Sequence, residues 1–419
     1  MSAFLQRYGA TFGRSQSMLL RMAGLTEGEA TAEGAWVQDT SGRRWLDFGS
    51  FGLHLLGHRH PTIVAAAIAQ LGRIALSSKV LGNEQATGCA ERLKASFSRP
   101  LDGVIFGNSG AEAVETALKL ARLATGRRRI LALKGSYHGK TQATLAISDT
   151  MGHLAARDGA DVGFVAAGDV AAVADALAEG DVAGIIVEPI QGEGGIVAVD
   201  PAFLTEVERL ARAAGSLFIV DEIQTGLGRC GVLWYGDHLG LAPDIVLSAK
   251  ILGGGIVPIS AAIYSSRAIG RHALDPIVYA STFAGAAFAT RIADTTLDIV
   301  AQPDFLDSVR RLGARTIAGL GAALADLPGI VAIRGRGLMI GIEFATADLA
   351  GEVVLEAAKR GVLVTFCLSR PAVVRVYPPA VIADADLDLG IAHLTDAVLA
   401  ALATTELRPL QRHPIEHGK

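Results

Sequence analysis

Residues 217–258 read LFIVDEIQTGLGRCGVLWYGDHLGLAPDIVLSAKILGGGIVP. Two short runs in this stretch, Phe218 to Val220 and Asp244 to Ala249, are apolar on both faces, the pattern of strands buried in a parallel sheet. Each run stops at a charged residue, the first at Asp221 and the second at Lys250. In open α/β sheets, ligands sit beyond the carboxyl ends of the strands. The reading therefore places a carboxylate and an amine side by side where a ligand is expected. An amine so placed can attack a carbonyl, and a carboxylate can hold a cationic ring nitrogen. Taken singly, either residue is an ordinary strand end; the pair is not.

The chain has 419 residues, of which 50% are hydrophobic and 19% charged, enough for a large core and a smaller second one. A net charge of −4 leaves no basic footprint for nucleic acid. The densest basic run, Arg127 to Arg129, reads as a solvated turn after a helix. Mean hydropathy is +0.38, but alanine and valine are spread along the chain and no run of eighteen apolar residues occurs, so no membrane partner is expected. Cys89, Cys230 and Cys367 are far apart and form no CxxC pair, which argues against a disulfide framework or a metal site and suits the cytoplasm. The opening MSAFLQRYGA has no charged segment leading an apolar one, so no signal peptide is expected.

Upstream of the decisive stretch, Gly34 to Phe48 reads as a hairpin around a Ser-Gly turn. A glycine-rich loop, FGSFGLHLLGHRHP, then precedes a helix at Pro61 to Leu71. Beyond Asn83 helices and strands alternate, with strands at Val104–Phe106, Ile130–Leu133 and Gly184–Val187 and a helix at Ala111–Ala124. The expected fold class is α/β: a mostly parallel sheet with helices on both faces. Toward the end the pattern changes to α+β. One long helical stretch, about Gly285 to Leu327, leads into strands at Ile330–Arg334 and Leu338–Phe344. A helix near Gly351–Arg360 and a strand near Val373–Tyr377 follow. The expected division is an N-terminal segment with the hairpin at 1–60, packing with the small domain, a large cofactor-binding domain at 61–310 and a small domain at 311–419.

Five further strings lie at or beside predicted strands or turns. FGNSGAE (Phe106–Glu112) runs a glycine turn into a helix N-terminus, where free N–H groups and the positive dipole end suit a phosphate. GSYHGKT (Gly135–Thr141) brings an aromatic ring to a strand end, and VEPIQGEGG (Val187–Gly195) two carboxylates. STFAG (Ser281–Gly285) and VVRVYPP (Val373–Pro379) add Thr282 and Arg375. Together with DEIQTG and SAKILGGG, in this order, these strings resemble the class III aminotransferases, fold type I enzymes that use pyridoxal 5′-phosphate. The resemblance runs from Trp36 to Arg375.

The resemblance implies roles for these residues. Lys250 forms a Schiff base with the cofactor and Asp221 keeps its pyridine nitrogen protonated. Gln224 meets the ring hydroxyl oxygen and Tyr137 stacks on the ring, with His138 and Glu188 among the cofactor contacts. Ser109, Gly110 and Ala111 bind the phosphate. Thr282 reaches the phosphate of a neighbouring subunit, which implies a homodimer. Glu193 pairs with Arg375 and releases it to a substrate carboxylate, and Lys140 is a third substrate contact. Three departures stand out: Ala111 where the family often has Thr or Ser, Gly285-Ala286-Ala287 where it has Gly-Asn-Pro, and Lys140 where ornithine and acetylornithine enzymes have Arg. Several strings look most like putrescine and related ω-amine aminotransferases. The implied activity moves an amino group from a terminal amine, diamine or amino acid to a keto acid such as 2-oxoglutarate or pyruvate. Alternatives are a same-fold epimerase, aminomutase or decarboxylase, or, from another class, a nucleotide-binding oxidoreductase, for which no GxGxxG follows the first strands.

Overall fold

A computed structural model describes residues 2–154, 162–269 and 281–406. Its centre is a seven-stranded sheet in the order Gly103–Gly107, Ser260–Tyr264, Ile245–Ser248, Leu217–Asp221, Val182–Val187, Arg129–Leu133, Val162–Val165. All neighbours are parallel except Ser260–Tyr264, which runs antiparallel to both of its partners. Every residue of Val182–Val187, Leu217–Asp221 and Ile245–Ser248 is buried, which is why these strands carry unbroken apolar runs rather than alternation. Helix Gly110–Thr125 buries Val114, Ala117, Leu118 and Ala121 on one face of the sheet. Helix Pro201–Ala213 buries Phe203, Leu204 and Val207 on the other. The expected α/β layering is present.

A second, antiparallel sheet joins Ile330–Arg336, Met339–Phe344, Val373–Val376 and Thr365–Phe366, with helices Pro303–Leu324, Ala347–Lys359 and Asp384–Glu406 packed around it. The N-terminal hairpin is Trp36–Asp39 with Arg44–Asp47. An additional strand, Glu29–Glu33, pairs with it on one side, and Val362–Leu363 from the far end of the chain on the other. Two helices, Ala3–Phe12 and Arg14–Met22, precede it.

Three expectations need correction. The stretch from Gly285 to Leu327 is two helices, Ala287–Val300 and Pro303–Leu324, because Pro303 has no N–H to continue the first and opens the second instead. The helix expected near Gly351 begins at Ala347, where the Thr346 hydroxyl caps it by accepting from Leu349 N–H. Arg127 is no solvated turn residue: its guanidinium donates to the carbonyls of Val182 and Ala214, tying the ends of two strand–helix units together. Among the described residues one stretch, Asp384–Thr404, is long and apolar enough to cross a membrane, with mean hydropathy 1.4. Leu387, Leu394, Ala397, Val398 and Ala401 on that helix are buried in the core beneath the second sheet.

Candidate active site

Strands Leu217–Asp221 and Ile245–Ser248 are paired in parallel, so their carboxyl ends open on the same edge of the sheet. Asp221 is the last residue of the first. Lys250 starts the short turn Lys250–Gly253 after the second, with a φ of +44°. A non-glycine residue in that region is uncommon and persists where the surroundings over-determine it. Both side chains face one cavity of about 640 Å³. Ser109, Gly110, Ala111, Tyr137, His138, Lys140, Glu188, Glu193 and Gln224 also line it. Eleven of the thirteen residues singled out from the sequence thus meet at one place. Arg375 is buried behind Glu193 rather than on the wall, and Thr282 is exposed and lies outside this cavity.

The electrostatics of the site follow from burial. Asp221 Oδ2 lies 2.8 Å from His138 Nδ1, and Oδ1 accepts from Ile223 N–H at 3.0 Å. This contact orients the carboxylate, since the His138 ring is wholly enclosed and its backbone N–H donates to Ser148 Oγ at 2.9 Å. His138 Nε2 is buried with no partner among the described residues. Glu188 accepts from the N–H groups of Tyr137 at 3.0 Å and Gly192 at 3.1 Å, and burial pushes its carboxyl up to about 7. Burial also lowers the Lys250 amine below its ordinary range. The Arg375 cation adds to that, while Asp221, Glu193 and Glu188 pull the other way. An amine of reduced basicity is a better nucleophile near neutral pH.

At the opposite wall helix Gly110–Thr125 begins. Ser109 caps it, its hydroxyl accepting from Glu112 N–H at 3.2 Å. The N–H groups of Gly110 and Ala111 belong to the first turn, where helices leave their donors unsatisfied. A Cβ at Gly110 would press on Ile223 Cδ1 at 3.0 Å, so glycine lets this helix start against the loop that follows Asp221.

Glu193 and Arg375 form a buried ion pair, and the second Glu193 oxygen accepts from Leu368 N–H at 2.8 Å. Arg375 Nε and Nη2 are buried without partners among the described residues. Gln224 Oε1 accepts from the Tyr377 hydroxyl at 2.7 Å. Lys140 is exposed at the rim. Sequence reasoning missed Phe51, Leu53, Leu368 and Tyr377; the first two lie in the glycine-rich loop before Pro61, and Tyr377 lies inside VVRVYPP. Asp47, His54 and His58 are close enough to hold a cation. Their geometry suits a structural contact instead: His58 Nε2 is 2.8 Å from Asp47 Oδ2, the two imidazole centroids are 3.8 Å apart with the rings tilted by 31°, and the Arg229 cation acts on His54.

Pyridoxal phosphate needs an anion cradle for its phosphate, an acidic partner for its ring nitrogen, a polar contact for its phenolic oxygen and an amine for its aldehyde. The cavity offers the helix N-terminus at Gly110 and Ala111, the oriented Asp221, the Gln224 amide and Lys250. Buried polar atoms without partners, as on His138 and Arg375, suit a site built around a polar group. The residues fit the cofactor.

Comparison with known proteins agrees. The family model "Aminotransferase class-III" matches residues 28–398. The acetylornithine aminotransferase of Methanothermobacter thermautotrophicus is 35% identical over 362 residues, 86% of this chain and 90% of its own. That of Streptomyces coelicolor is 39% identical over 352 residues, 83% of this chain and 84% of its own. The ornithine aminotransferase structure from Toxoplasma gondii superposes with a TM-score of 0.84 at 30% identity, covering 97% of this chain and 99% of that one.

Proposed function

The chain belongs to the class III aminotransferases, and on that footing we propose that its donor is a terminal amine, a diamine or an ω-amino acid, with a keto acid as acceptor. Family membership makes it a pyridoxal 5′-phosphate enzyme and sets aside the oxidoreductase alternative. When bound, the cofactor supplies an electron sink for the carbon that carries the amine. The protein's part divides among named groups. Asp221, aimed by His138, holds the positive charge at the ring nitrogen. The N–H groups of Gly110 and Ala111 hold the phosphate, and Tyr137 stacks on the ring. Lys250 Nζ, made less basic by burial, takes and returns the proton on the substrate carbon. Glu193 neutralises Arg375 until a substrate carboxylate competes for its guanidinium.

The observation that carries the donor assignment is Lys140, exposed on the cavity rim. A guanidinium there would grip a donor carboxylate through two hydrogen bonds, whereas an ammonium is a point charge on a flexible stem. With lysine, selection for a carboxylate at that end of the donor weakens and a bare terminal amine is favoured.

Two further readings belong to this proposal. The enzyme works as a homodimer: Val80 and Leu81 are 90% and 77% exposed, and Phe283 is exposed as well. Asn83 Nδ2 donates to Gly285 O at 3.1 Å and Lys79 to Ala284 O, which joins these segments into one apolar surface around Thr282. An exposed patch of this kind marks an association site. Its three free, buried cysteines suit the cytoplasm.

The donor assignment is tested by kcat/KM for putrescine, ornithine and acetylornithine, with 2-oxoglutarate or pyruvate, in the native enzyme and in Lys140→Arg. The native enzyme should prefer putrescine. The arginine variant should shift the ratio toward acetylornithine by about tenfold, or about 1.4 kcal/mol. A native preference for acetylornithine, or equal ratios in the two proteins, overturns the assignment.

A further inference from the structure

Gln224 lines the cavity, and its amide has one partner among the described residues, the Tyr377 hydroxyl at 2.7 Å from Oε1. Tyr377 is 4% exposed and Gln224 7%. Two glycines make room for the contact. A Cβ at Gly192 would come within 2.3 Å of Gln224 Oε1. One at Gly52, whose φ is +77°, would come within 3.1 Å of the Tyr377 ring. Tyr377 is therefore clamped from the side of the glycine-rich loop, and Gln224 from the side of the Glu193 loop.

The direction of the hydrogen bond follows from what surrounds the phenol. Arg229 and Arg375 approach the Tyr377 ring with their guanidinium carbons 5.2 Å and 6.0 Å from its centroid. Neither can accept a proton. Glu193 and Cys367 are the acidic groups that act on it, and neither is bonded to the hydroxyl; Glu193 is committed to Arg375 and Leu368 N–H. Burial holds the phenol well above its ordinary pKa, so the proton stays on. A buried O–H without an acceptor carries its full desolvation penalty uncompensated. The arrangement without that cost has the hydroxyl donating to Oε1, which leaves the Gln224 NH₂ group as the end free to face the cavity.

We propose that Tyr377 is a positioning residue: it locks the Gln224 amide so that Nε2–H, and not the carbonyl, is presented to the phenolic oxygen of the cofactor. The proposal rests on the assignment of Gln224 to that oxygen. A fixed donor spreads the negative charge of the oxygen and so weakens its hold on the proton it shares with the neighbouring Lys250 nitrogen. A freely turning amide presents its carbonyl part of the time and loses that effect.

The test is a pH titration of the visible absorption of the holoenzyme without substrate, for native protein, Tyr377→Phe, Gln224→Ala and the double variant. Tyr377→Phe keeps the ring that packs on Gly52; Tyr377→Leu serves as a second variant. The spectral midpoint should rise by about half a pH unit or more in each single variant. In the double variant it should rise no further than in Gln224→Ala, because the two residues act through one contact. A shift in Gln224→Ala with none in either Tyr377 variant overturns the positioning role and leaves the Gln224 assignment standing. No shift in Gln224→Ala overturns that assignment and the proposal with it.

Discussion

The carboxylates of the site differ because their surroundings differ. Asp221 is bonded to a histidine and a backbone N–H, whereas Glu222, the next residue, points the other way into the protein. It accepts from the Thr225 hydroxyl at 2.6 Å and from Gly236 N–H at 2.5 Å, with no cation bonded to it among the described residues, and burial pushes its carboxyl up to about 7. An unfolded glutamate titrates near ~4.3. Between those values the folded chain keeps a proton that the unfolded chain releases, so stability falls as pH rises through the window. In urea unfolding, the native enzyme should lose about 2 to 3 kcal/mol relative to Glu222→Gln between pH 5 and pH 8. A difference that stays flat across that range contradicts the assignment. Sequence placed Asp221 and Lys250 correctly because each ends an apolar run. It gave no sign that His138 would grip Asp221 across 83 positions, or that Tyr377 would meet Gln224 across 153. Pairings at such separations depend on how the sheets pack, which no local spacing encodes.

At the scale of elements, strands with a run of bulky apolar residues were legible and those without one were not. Leu217–Asp221 and Ile245–Ser248 announce themselves as apolar runs, but Ser260–Tyr264, sequence SAAIY, was not read as a strand: two alanines and a serine give it little β-branched or aromatic signal, and it forms where Ile245–Ser248 and Gly103–Gly107 flank it. Glu29–Glu33, sequence EATAE, is a strand only because Trp36–Asp39 lies beside it. The Glu193–Arg375 pair also joins two elements, the loop after Val182–Val187 and the strand Val373–Val376, with Leu368 N–H holding the second carboxylate oxygen. Removing the charge of Glu193 should free the guanidinium for a substrate carboxylate. Glu193→Gln should raise kcat/KM for α-amino acid donors relative to ω-amines by about tenfold, at some cost in stability because a buried cation loses its partner. An unchanged ratio identifies the pair as a fixed structural contact.

Across the whole molecule, the two ends of the chain meet around the site. Val362–Leu363 completes the N-terminal sheet, and the enclosed Arg229 donates to the carbonyls of Gly52 at 2.8 Å and Leu338 at 3.3 Å. One side chain from the glycine-rich turn after Gln224 thereby ties the N-terminal loop and the second sheet to the central one. Burial without a bonded carboxylate lowers its guanidinium to about 10, still charged at neutral pH. This convergence gives the cavity its walls: the central sheet supplies Asp221 and Lys250, the N-terminal loop Phe51 and Leu53, and the segment before Val373–Val376 supplies Leu368. The catalytic role of this cavity depends on which amine holds the cofactor. Borohydride reduction of the native holoenzyme, followed by proteolysis and mass spectrometry, should find the reduced pyridoxyl group on the peptide containing Lys250 and on no other. Its recovery on a different lysine, or no covalent attachment in a protein that retains the cofactor's absorption, would contradict the assignment of this cavity as the catalytic site.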